Sequence, residues 1–218
     1  YLQEYPHRSV LEIGCGPMPL FTDVVEYEQY VVVEPIAAFA ANAAHIAEQY
    51  PGVTVIEGFI EHAVAAGPIK QIRFDCIMLS GVLHEVPDPV RVLRAIRQLS
   101  GRETTVYIST PNMKSVHRLL AREMGLISDI AEPSALDVRF SRPHRFDRQS
   151  LCTLLEKHGF EVLRFATYFI KPFTNEQMEA MVDQGIVDRS IVQGLEGLVR
   201  YMPDLGAEMY AVVRKKQE

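Results

Sequence analysis

The chain has 218 residues, 48% of them apolar and 23% charged, with a net charge of −6; that length suffices for one well-buried α/β domain with an appended subdomain. The acidic balance argues against a general nucleic-acid binder, which needs a basic face to neutralise phosphates, and no run approaches the roughly 20 apolar residues that span a bilayer. Three scattered cysteines, Cys15, Cys76 and Cys152, lack CxxC spacing; they suggest reduced thiols, a cytoplasmic setting and no zinc site.

Residues 10–13, Val-Leu-Glu-Ile, read as a buried strand of a parallel sheet. The loop after it carries Gly14 and Gly16, which lack a Cβ and let the backbone turn sharply near a ligand. A pyrophosphate loop of the G-x-G-x-x-G type wants a third small residue where Pro19 stands, and proline has no N–H to offer. The loop is glycine-rich yet poorly suited to a pyrophosphate. A short helix is expected over 20–26, a strand over 30–33, and an alanine-rich helix over 37–49. Strands at 53–56 and 74–79 follow, with a short helix at 60–66 between them. An amphipathic helix at 90–99 is closed by Gly101, and a β-branched strand at 104–109 is bounded by Pro111. This alternation predicts a parallel sheet with right-handed crossovers.

Residues 111–147 break the rhythm with a helical run at 115–124 and then a segment dense in Pro, Asp and Arg. Stretches of this length inside compact domains usually form lids or substrate walls. A helix at 148–158, terminated by Gly159, precedes a long strand at 160–169. Residues 174–200 read as helical and 207–214 as the final strand, antiparallel to its predecessor at one edge of the sheet. Residues 1–218 are thus read as one domain, with the 111–147 insert and the 172–205 excursion capping an acceptor site. The excursion suits either a lid or a homodimer surface. Tyr1 in place of a methionine leaves room for residues ahead of it.

Glu34 ends the second strand twenty residues after Gly14. In open α/β sheets the ligand lies at the carboxyl ends of the strands beside the first strand. Glu34 is there placed to accept from both hydroxyls of a ribose. The plainer reading is an acid at the start of the next helix, stabilised by its dipole.

Together VLEIGCG, VVVEP, VIEGF and FDCIMLSGVLHEVPDP resemble successive motifs of the class I S-adenosylmethionine-dependent methyltransferases, most strongly between Val10 and Pro89. The resemblance implies a Rossmann-like, mostly parallel seven-stranded sheet with an antiparallel edge strand and helices on both faces. It implies S-adenosylmethionine as cofactor, which carries no phosphate and so tolerates Pro17 and Pro19. Glu12, Gly14, Cys15 and Gly16 would line its methionine end, and Glu34 with Pro35 its ribose. Gly58, Phe59 and Ile60 would lie against the adenine, and Ser80 and Gly81 beside the transferring methyl. Met18 stands where many members have a third glycine. Phe59 stands where an aspartate is common, so adenine N6 would be read by backbone, Glu57 or Glu61.

The strand end Leu79-Ser80-Gly81-Val82 lacks the (N/D)PP(Y/F) of nucleobase amine methylases, and Ser80 is not the acid of the metal-dependent catechol type or of aminopropyl transferases. Neither base methylation nor a magnesium site is therefore favoured, and the expectation is a small-molecule acceptor methylated on oxygen. His84, Glu85 and His144 are candidate bases, since a hydroxyl must lose a proton and an unperturbed imidazole titrates near ~6.5. The plainer reading makes His84 a loop residue bonded to backbone. Arg139, Arg142, Arg145 and Arg148 surround His144; Arg142 and Arg145 are candidates to hold an anionic acceptor, or else these arginines pair with Asp137 and Asp147. A looser resemblance, carried by the run ahead of the 148–158 helix and by FIKPFTNEQM, implies a sugar or nucleotide-sugar acceptor. Two other classes stay open: a non-catalytic methyltransferase-like binding module, and a nicotinamide-dependent oxidoreductase, against which Pro19 argues.

Overall fold

The structure, a computed structural model, describes residues 4–24 and 26–217. Seven strands form one sheet: β1 (Ser9–Ile13), β2 (Gln29–Glu34), β3 (Val53–Glu57), β4 (Cys76–Ser80), β5 (Thr105–Pro111), β6 (Phe160–Tyr168) and β7 (Glu208–Lys215). Their order is β3-β2-β1-β4-β5-β7-β6. The first five are mutually parallel, and β7 runs antiparallel to both its neighbours, one place in from the outer edge. The order reverses at β1, which pairs with β2 on one side and β4 on the other. That reversal opens a crevice at the carboxyl ends of the strands.

The central strands are largely apolar because both faces are covered. One face packs Leu11, Val31, Ile77 and Ile108 beneath α2 (Ile60–Ala66), α3 (Pro89–Leu99) and α6 (Arg148–Lys157). The other packs Val10, Tyr30, Val32 and Met78 with Phe21 and with Ala43 of α1 (Ala37–Ala47). Helix starts are chemically marked. Asp88 accepts from the N–H groups of Val90 and Arg91 ahead of α3, with Pro89 at its first position. Asp147 and Ser150 form a reciprocal capping box on α6.

Three expectations change on the structure. The helix expected over 20–26 is a single 3₁₀ turn, Leu20–Thr22, with Val25 outside the described residues. Glu26, at φ 69°, stands in the left-handed region that no helix continues through. The helical stretch 174–200 divides into α7 (Asn175–Asp183) and α8 (Arg189–Gly197), parted by Gly185 at φ 70° and by Asp188, which caps α8. The 111–147 insert holds α4 (Val116–Glu123) and also a short helix, α5 (Ala135–Arg139). Among the described residues no helix is long and apolar enough to cross a membrane.

Candidate active site

A cavity of about 330 Å³ opens at the crevice beside β1. Its floor begins with the loop after β1, where Gly14 and Gly16 have φ of 74° and 59°, values that L side chains adopt at a cost. Gly14 is also crowded: a Cβ there would come 2.6 Å from Cγ2 of Val82. A Cβ on Gly16 or Gly81 would meet nothing within 4 Å, so at both places the backbone itself forms cavity wall.

Glu34 is 2% exposed and lines this cavity. One carboxylate oxygen accepts from the Gly16 N–H at 3.0 Å and the other from the Ile36 N–H at 2.9 Å. A carboxylate offers about four lone-pair sites, so each oxygen keeps one for a ligand hydroxyl. Cys15, Pro35, Phe59, Ile60, Ser80, Gly81 and Glu85 line the same cavity. Burial beside Glu12 and Glu34 pushes the Cys15 thiol up to about 12, leaving it a neutral wall group. Phe59 precedes α2 half exposed and makes no capping bond, while Glu61 brings a carboxylate to that end of the cavity.

Two of the expected cofactor residues stand off the wall. Glu12 turns beneath the loop, where both carboxylate oxygens accept from the Leu20 N–H at 3.1 and 3.2 Å and one also from the Tyr30 hydroxyl at 3.0 Å. It braces the glycine loop from below. Burial raises its pKa to about 7, against those bonds and with a smaller upward push from Glu34. Gly58, at φ 146°, turns the chain after β3 by donating its N–H to the Glu34 carbonyl at 2.9 Å.

A second cavity, about 370 Å³, lies under the insert and the start of the excursion. It adjoins the first at consecutive residues, with His84 on its wall and Glu85 on the wall of the first. His84 is 5% exposed and neither ring nitrogen has a hydrogen-bond partner. Burial, with Arg142 and His144 nearby and Asp137 opposing, lowers its pKa to about 4; the imidazole is neutral at pH 7. His144 stacks on Phe146 and has its Nε2 3.4 Å from the Pro87 carbonyl.

Both expected anion-binding arginines line the second cavity, in different states. Arg142 places Nε and Nη2 at 2.8 and 2.7 Å from one oxygen of Glu85, a pairing that joins the two cavity walls. Arg145 makes one weak bond, to the Arg142 carbonyl at 3.4 Å. Among the described residues neither pairs with Asp137 or Asp147: Asp147 pairs with Lys114, and Arg148 with Asp204. Sequence reasoning missed His117, Arg118, Lys171 and Glu208 on this wall. Glu208 opens β7 opposite Pro111 and Tyr168, and burial, against Lys171 and Arg142, raises its pKa to about 7.

The family model described as a methyltransferase domain matches residues 3–164. The chain belongs to the methyltransferase-domain family. No curated protein matches the sequence. Among solved structures the chain is similar to the CurJ carbon methyltransferase (14% identity, TM-score 0.59), covering 99% of this chain and 51% of that one. It spans about half the length of that protein. It is also similar to a SAM-dependent methyltransferase from Archaeoglobus fulgidus (18% identity, TM-score 0.58, 99% and 91% covered). A third is a SAM-dependent methyltransferase from Thermotoga maritima, named as a possible histamine N-methyltransferase (18% identity, TM-score 0.61, 97% and 83% covered). These likenesses establish the class I methyltransferase fold, whose cofactor is S-adenosylmethionine. The first cavity fits it: a loop with prolines at 17 and 19 withholds N–H groups a pyrophosphate would need, and Glu34 keeps acceptor sites free for a ribose.

Proposed function

We propose that this methyltransferase methylates a small molecule held in the second cavity, at a hydroxyl of a sugar, nucleotide sugar or related metabolite. The observation that carries the reading is that consecutive residues, His84 and Glu85, line the two cavities, with Arg142 of the second paired to Glu85 of the first. Gly14, Gly16, Glu34 and Ser80 hold the cofactor, which when bound supplies a methyl carbon on a positively charged sulfur. The chain's own task is chiefly to orient the acceptor atom in line and to keep water out. A cavity of about 370 Å³ is of small-ligand size.

The acceptor atom is argued from unmet hydrogen bonds. The His84 ring makes no hydrogen bond, its Nε2 lying 3.6 Å from Glu85 Oε1, and a buried polar group left unpaired costs about 1–3 kcal/mol. An acceptor with an O–H or N–H relieves that cost and a C–H does not, which favours a heteroatom over a carbon nucleophile. His84, near 4, is an orienting acceptor rather than a store for the proton. Glu208, near 7 on the same wall, is better matched to take it at neutral pH. Glu85, tied by Arg142, fixes the boundary between the cavities, and the insert and excursion cap the acceptor.

Calorimetric titration with S-adenosylmethionine, its demethylated product and NADH is the first test, followed by a mass-spectrometric screen for methylated nucleotide sugars. Binding of the first two alone, with a hydroxyl-methylated product, is the expected result. Folded protein that binds neither would overturn methyl transfer in favour of a binding module.

A further inference from the structure

We propose that His117, Arg118, Arg145 and Lys171 form a subsite for a doubly charged phosphoryl group on the acceptor; the assignment rests on the second cavity being the acceptor site. All four line that cavity, brought from three places in the chain. His117 and Arg118 stand on α4, Arg145 follows the insert's last turn, and Lys171 follows β6.

Among the described residues, none of the four has a direct carboxylate partner. Arg118 is fixed by donating from Nε to the Ile130 carbonyl at 2.9 Å and from Nη2 to the Glu132 carbonyl. Neutral carbonyls hold its plane in place without cancelling its charge. Arg145 presses on Arg118 electrostatically and spends one weak bond on a carbonyl. Lys171 donates to the Asn175 side-chain oxygen. His117 has its Nδ1 buried and unpartnered. Burial, together with Lys171 and Arg118, lowers the His117 pKa to about 4, which reports positive charge crowded into a poorly solvated space.

The acids on the same wall form no direct ion pair with these cations among the described residues. Asp137 acts on Arg118 while one of its oxygens accepts from both the N–H and the hydroxyl of Ser134 at 2.8 Å. Glu176, exposed at the start of α7, and Glu208, half-protonated near pH 7, act electrostatically on Lys171. Arg142, one of the two arginines expected from sequence to bind an anion, is matched by Glu85 and is not in the subsite. Three cations and an imidazole exceed what one carboxylate would match, and arginine forks suit phosphoryl oxygens.

Inorganic phosphate, with acetate in parallel at constant ionic strength, is titrated into the full chain and followed by calorimetry. Phosphate is expected to bind about tenfold more tightly than acetate, and Arg145→Ala or Lys171→Ala to weaken it about tenfold. Arg148→Ala, whose side chain pairs with Asp204, serves as the control and should leave phosphate binding unchanged. S-adenosylmethionine titrated into each variant reports that the fold and first cavity are intact. Phosphate binding that is absent, indifferent to both substitutions or matched by acetate, in protein that still binds S-adenosylmethionine, overturns the subsite alone. Loss of cofactor binding by the unmodified chain would overturn the methyl-transfer reading on which it rests.

Discussion

Glu34 shows how one side chain both builds a loop and keeps capacity for a ligand. Its two oxygens each take one backbone N–H, from Gly16 and Ile36, and its remaining lone pairs are acceptors in a cavity. Glu34→Ala is expected to weaken S-adenosylmethionine binding by about 1.5–3 kcal/mol, the range for hydrogen bonds to a charged group, read by calorimetry. Unchanged affinity would reduce Glu34 to a brace for the loop. Its place at the cavity was legible in the sequence, because the end of the second strand fixes which edge of the sheet it reaches. Glu12 was misread for a related reason. Proximity to Gly14 says nothing about which face of β1 a side chain takes, and Glu12 lies on the face of Tyr30, to whose hydroxyl it is bonded. Lys171 and Glu208 were invisible because no local pattern announces that β7 enters between β5 and β6 and carries Glu208 to the ligand edge.

At the level of elements, strong local signals survived folding and weak ones yielded to neighbours. Alternation of strands and helices up to Pro111 set the sheet, since apolar runs and end signals agreed there. The segment after Pro19 did not become a full helix because the chain turns at Glu26, in the left-handed region. The junction between insert and sheet depends on Asp147. Its carboxylate accepts from the Ser150 N–H at 2.8 Å and from the Lys114 ammonium at 2.7 Å, so one residue caps α6 and ties down the start of the insert. Burial pushes its pKa upward, but the Lys114 and Ser150 contacts outweigh that and bring it to about 2. Asp147→Ala is expected to cost about 1–2 kcal/mol of stability, as for loss of a helix cap, measured by urea unfolding. Asp147→Asn should recover part of it by keeping the cap acceptor while losing the ion pair. A loss below a few tenths of a kcal/mol would mean that the cap and the Lys114 tie contribute little.

For the whole molecule, buried groups at both cavities couple stability to pH, and the sign follows from which state holds more protons. Glu12 and Glu208 have native values raised from 4.5 to about 7. Between those values the native state binds more protons than the unfolded chain, so their contribution makes stability fall as pH rises. His84 and His117 are lowered from 6.5 to about 4. In that interval the unfolded chain binds more protons, so the histidines make stability rise with pH. From pH 4.5 to 6.5 the two pairs oppose each other and largely cancel. Above 6.5 the unfolded chain's histidines lose their remaining protons, and the carboxyls outweigh them until they are fully ionised. Thermal unfolding is therefore expected to give a midpoint nearly flat from pH 4.5 to 6.5 and falling from 6.5 to about 8. Glu208→Gln removes a carboxyl for which no hydrogen bond or ion pair is recorded among the described residues. It should flatten the upper limb by about half and tilt the lower interval upward with pH, because the histidines then lose one opponent. A midpoint that rises between pH 6.5 and 8, or an upper limb unaltered by Glu208→Gln, would show that these carboxyls are ionised in the native protein at neutral pH. Glu208 would then no longer be matched to hold a proton at the acceptor cavity.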